Sequence, residues 1–95
     1  MIGVIATLTI QDGKQEGFEA LMKELTAAVR ANEPACTFFQ LHKTDDPTVY
    51  IILEQYGSDA DLEVHRATSH YKELAGRLGE FLAGAPGIMI LPAVE

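Results

Sequence analysis

The segment Thr48-Val49-Tyr50-Ile51-Ile52-Leu53-Glu54-Gln55-Tyr56-Gly57-Ser58-Asp59-Ala60-Asp61 decides the fold of this chain. Its first part, Thr48 to Tyr56, is dense in β-branched and aromatic residues and reads as a strand. A strand with one wet face alternates apolar and polar residues, but here Val49, Ile51 and Leu53 alternate with Tyr50 and Ile52, so both faces ask for cover. Ser58, followed three residues later by Asp61, is an N-cap resembling a capping box, with acids in the first turn where the helix dipole favours them. The segment therefore reads as a buried strand turning directly into a helix.

Working towards the N-terminus, Asp45-Asp46-Pro47 is a turn that joins this strand to another over Cys36 to Lys43, making a hairpin. Before it, Phe18, Leu21, Met22, Leu25, Ala28 and Val29 recur at three and four, the stripe of an amphipathic helix from Lys14 to Asn32. Pro34 bars helical geometry at Glu33 and stops it. Residues 2–10 alternate as a first strand. Towards the C-terminus, the helix opened by Ser58 is expected to break near Thr68-Ser69, with Ser69 capping a second segment striped by Tyr71, Leu74, Leu78, Phe81 and Leu82. Gly84-Ala85-Pro86-Gly87 stops that segment, and Ile88 to Val94 is the last strand. The order β-α-β-β-α-β across a single domain, residues 1–95, predicts an α+β, ferredoxin-like sandwich: a four-stranded antiparallel sheet with its helices on one face. Phe38 and Phe39 read as core. Because the helices cover one face only, the apolar second face predicts a homodimer with its sheets packed face to face.

Seven Lys and Arg against fourteen Asp and Glu give a net charge of −7, which excludes nucleic acid and anionic membrane surfaces as partners. No stretch approaches the ~20 apolar residues of a membrane span. Met1 leads straight into a strand with no signal peptide, and the lone Cys36 permits no internal disulfide, so the expected location is cytoplasmic.

His65 and His70 are the candidate catalytic residues, since imidazole titrates close to neutrality. His65 follows Leu62 by three residues on the helix face that meets the sheet. It is either a base lining a pocket or an interior histidine satisfied by Glu54 or a backbone carbonyl. His70 sits at a helix start, as a neutral acceptor or as a solvated side chain. Glu54, in an apolar strand, is either a structural partner or a substrate contact. Tyr56 and Tyr71 offer aromatic walls with hydroxyl handles. Asn32 either binds a substrate oxygen or ends its helix. His42, beside the hairpin turn, reads as exposed. His65 and His70 stand five apart, off the spacing of a helical metal pair, so no metal site is expected.

Three features together resemble the antibiotic biosynthesis monooxygenase superfamily: Asn32-Glu33-Pro34 after the first helix, Glu54-Gln55-Tyr56 at the end of the third strand, and Leu62-Glu63-Val64-His65 followed by Ser69-His70-Tyr71. The resemblance spans the chain. It implies a dimeric α+β barrel acting on a small hydroxyaromatic or quinol substrate with dioxygen and no cofactor, neither metal nor flavin. His65, or failing it His70, would be the base, and Asn32, Glu54, Tyr56 and Tyr71 the substrate contacts. Haem-degrading relatives carry an Asn, a Trp and a His at positions that here fall near Ala6, at His65 and near Ala75, and the chain has no Trp. Two other readings stay open: an isomerase or tautomerase of a small carbonyl compound, and a non-catalytic ligand-binding dimer. In each, a cavity is expected between sheet and second helical region, lined by His65, Tyr56 or Tyr71, Leu21 and Leu25, with Ala6 and Ala28 leaving room.

Overall fold

Alternation along β1 (Ile2–Thr9) buries Ile2, Val4, Ala6 and Leu8 on one face, and the rest of the fold is assembled on that row in a computed structural model that describes Met1–Glu95. Helix α1 (Gln15–Asn32) lays Phe18, Leu21, Met22, Leu25 and Val29 over it. The hairpin β2 (Cys36–Lys43) and β3 (Val49–Tyr56) follows, then α2 (Asp59–Ala67), α3 (Ser69–Arg77), a 3-10 turn at Leu78–Glu80, and β4 (Gly87–Pro92). The sheet is antiparallel throughout, in the order β2-β3-β1-β4, which is the ferredoxin-like arrangement that the element order predicts. The central pairs β1 and β3 match Ala6 with Ile52 and Ile5 with Leu53. Phe18 meets Tyr50 with ring centroids 4.9 Å apart, tying α1 to the middle of β3. No helix is long and apolar enough to cross a membrane.

Two expectations change at the sheet. Phe38 is not core. It pairs with Gln55 and is 49% exposed on the face away from the helices, whereas Phe39 pairs with Glu54 and is buried beneath them. Adjacent strand residues point to opposite faces, so only one of the two rings can reach the helix layer. That uncovered face also carries Leu53, Met89 and Leu91. The last strand ends at Pro92 rather than Val94, and as an edge strand it lies beyond the helices, so every one of its residues is exposed.

The break in the second helical region falls where the sequence places it, but Thr68 is the cap, not Ser69. Thr68 takes an extended conformation, its hydroxyl oxygen accepts from the Tyr71 N–H at 3.2 Å, and its hydroxyl donates to the His65 carbonyl at 2.8 Å. One side chain thus ends α2, starts α3 and sets the angle between them. Replacing Thr68 with Val keeps the volume and removes both bonds. This should lower the unfolding free energy by about 1 kcal/mol, read as a lower denaturant midpoint at unchanged slope, whereas Ser69→Ala should leave the midpoint in place.

Candidate functional site

Because α2 and α3 meet at an angle, they do not lie flush on the twisted sheet, and a cavity of about 100 Å³ remains beneath the break. Its walls are mostly apolar: Ala6 from β1, Leu25 from α1 and Phe39 from β2 are among them. Glu54, His65, Arg66 and Tyr71 supply the polar groups. Leu25 and Ala6 fall where expected, but Leu21 is buried elsewhere in the core and does not reach the cavity.

His65 is 3% exposed. Its Nδ1 lies 2.7 Å from Glu33 Oε1, and the Nε2 of His70 lies 2.5 Å from Glu33 Oε2. A carboxylate only accepts, so both rings donate to it and the proton of neutral His65 sits on Nδ1. Its Nε2 has no partner within the chain. No buried polar side-chain atom is sealed off without one, so this nitrogen faces open space, and the space beside His65 is the cavity. Phe39, Tyr56 and Tyr71 pack around the ring at centroid distances of 5.8, 5.2 and 4.8 Å. This burial pushes the imidazole pKa below its ordinary value, and the Glu33 carboxylate opposes the shift without cancelling it.

Glu33 is the residue that sequence reasoning missed. It was legible only as the end of α1 and half of a Glu-Pro step. The structure makes it the C-cap of α1, its N–H bonded to the Val29 carbonyl, with an 8% exposed side chain turned into the protein. An acid fixed against a proline beside a helix bearing two histidines was the available signal. The expected partner of His65, Glu54, bonds instead to Tyr56, whose hydroxyl donates to Glu54 Oε1 at 2.6 Å. Burial raises the pKa of the Glu54 carboxyl, and the same cause raises that of the Tyr56 hydroxyl.

The remaining candidates separate. Tyr71 and Glu54 line the cavity, while Tyr56 is fully buried behind His65 and is not part of its wall. His70 touches the site through Glu33 alone. Asn32 does not reach the cavity: it is exposed, the last residue of α1, and its amide donates back to the Ala28 carbonyl at 2.9 Å, while Glu33, not Asn32, is the cap. His42 is exposed, as read. Chemically, the cavity presents one unprotonated imidazole nitrogen, a carboxyl of raised pKa and a guanidinium to an otherwise apolar space. That set can hold a small polar aromatic molecule and accept a proton from it.

The sequence matches the family described as antibiotic biosynthesis monooxygenase over residues 1–77. The solved structure of a "putative antibiotic biosynthesis monooxygenase" from Caulobacter crescentus is 42% identical, covering 99% of this chain and 90% of that chain, with a TM-score of 0.95. That of PA3566 from Pseudomonas aeruginosa is 28% identical, covering 99% and 94%, with a TM-score of 0.87. A "putative monooxygenase" of Mycobacterium tuberculosis is 24% identical over 94 residues, 99% of this chain and 92% of its own length.

The depressed imidazole gives the protein a pH dependence of definite sign. As pH falls, the unfolded chain protonates His65 first, so the stabilisation is complete above the unfolded value of about 6.5 and is lost as pH drops from there towards the folded value. Chemical denaturation across that window should show the unfolding free energy falling with pH, and His65→Gln should flatten the slope. Glu33→Gln removes the charge that opposes the shift, so the imidazole pKa of His65, followed by NMR, should drop further. A rise would contradict this assignment.

Proposed function

The chain belongs to the antibiotic biosynthesis monooxygenase family, and on that premise we propose that it oxidises a small hydroxyaromatic or quinol with dioxygen, using His65 as general base. The observation that carries the reading is the unprotonated Nε2 of a buried, carboxylate-oriented His65 facing an apolar cavity. Dioxygen is a triplet and reacts slowly with closed-shell molecules, but a deprotonated, delocalised substrate can pass it one electron directly. Protein chemistry then reduces to removing a proton in a place without water. Transfer of the quinol proton to Nε2 leaves an imidazolium whose charge Glu33 balances through Nδ1–H. Arg66 and Tyr71 line the cavity, and in this reading their guanidinium and hydroxyl hold the substrate oxygens. For a quinol the atoms balance without another reductant: quinol and dioxygen give a hydroxyquinone and water.

The cavity, at about 100 Å³, is well below the ~300–1,000 Å³ of pockets for drug-sized ligands, which favours a one-ring substrate over a polycyclic one. The apolar open face formed by Ile5, Phe38, Leu53, Met89 and Leu91 supports a homodimer, because leaving such a patch in water forgoes roughly 25 cal/mol per Å². The lone Cys36 supports a reducing, cytoplasmic setting.

Oxygen uptake with a panel of one-ring quinols, without added metal or flavin, tests the reading. The expected result is uptake above the buffer rate that falls by roughly 10²–10⁴ in His65→Ala. Equal turnover under argon and air would replace it with the isomerase reading, and ligand binding without product would leave a binding dimer. Sedimentation at micromolar concentration should give twice the 10.3 kDa chain mass, and Leu53→Asp should shift the protein towards monomer.

A further inference from the structure

A second concavity, of about 220 Å³, lies on the far side of α1, between that helix and the outer strand β2. Met22 is the wall it shares with the first cavity, but its chemistry is different: Lys23, Arg30 and Lys43 line it together with His42 and Gln40. Three of the chain's seven basic residues therefore converge on one groove of a protein whose net charge is −7. None of the three is ion-paired; the five ion pairs of the chain involve other cations. With acids outnumbering bases two to one, leaving three neighbouring cations without an acidic partner is a specific arrangement.

The cations are not equally free. Arg30 is pinned against the edge of β2, its Nη2 donating to the Phe39 carbonyl at 3.2 Å and to Gln40 Oε1 at 2.6 Å, so its guanidinium is held in place over the groove. The ammonium groups of Lys23 and Lys43 make no hydrogen bond within the chain and stand as movable point charges. One oriented guanidinium, with Nη1 and Nε still free to donate, and two flexible ammonium groups is a combination suited to an oxyanion. The single acid in the lining, Glu19, accepts from the Tyr50 hydroxyl at 2.5 Å and so is held on β3.

We propose that this groove binds a small molecule carrying a phosphate or carboxylate group, at a site separate from the cavity beneath α2 and α3. The assignment does not depend on the reaction proposed for that cavity. Titration with inorganic phosphate and with malonate, at low ionic strength and followed by amide chemical shifts, tests it. Saturable shifts should appear at Lys23, Arg30 and Gln40 to Lys43. Phosphate binding tighter than malonate would identify a phosphate ligand, and the reverse a carboxylate ligand. Lys23→Gln combined with Lys43→Gln should weaken binding at least about tenfold with an unchanged melting temperature, Arg30→Lys should weaken it while keeping the charge, and Lys72→Gln, outside the groove, should not matter. Shifts reproduced by sodium chloride at equal ionic strength, shifts scattered over the surface, or affinity unchanged in the double variant would overturn the proposal.

Discussion

A single buried carboxylate, Glu33, holds the site together by accepting from two imidazoles at once, one on each side of a helix break. Burying a charge in a domain this small is costly unless the charge is fully engaged, and both of its oxygens are engaged at 2.7 and 2.5 Å. The same contact joins three elements that the sheet does not connect directly: the C-terminal end of α1, the last turn of α2 and the start of α3. It fixes the tautomer of His65, turns its other nitrogen to the cavity, and anchors α3 through His70. The cavity exists because α2 and α3 meet at an angle, and Thr68 together with Glu33 holds that angle.

Most of the fold was legible because its signals are local. The period-two alternation of residues 2–10, the three-and-four spacing from Phe18 to Val29, the Asp-Asp-Pro turn and the Ser58 cap each fix one element, and the order of elements selects the topology. The errors came where local pattern underdetermines a three-dimensional choice. Phe38 and Phe39 are equally apolar, but only the register against β3 says which faces the helices. Ser69 and Thr68 are both competent caps, and only the backbone conformation at Thr68 separates them.

The site was half legible, for a related reason. His65 and Tyr71 could be placed on an inward face by spacing from Leu62 and Leu74. Glu33 could not, because its partners lie 32 and 37 residues away and its neighbourhood says only that a helix ends. The five-residue separation of His65 and His70 spoke only against a helical metal pair, and the break at Thr68 is what brings both rings to one carboxylate. Asn32 lies outside the cavity lining, its amide donating instead to the carbonyl of its own helix at Ala28.

The account rests on a neutral His65 whose proton sits on Nδ1 in the bond to Glu33 and whose Nε2 is bare. The nitrogen-15 spectrum of the imidazole at neutral pH reports this directly. The account predicts a pyrrole-type Nδ1, bearing a proton shielded from exchange, and a pyridine-type Nε2. A protonated Nε2, in either the other neutral tautomer or the imidazolium, would contradict it.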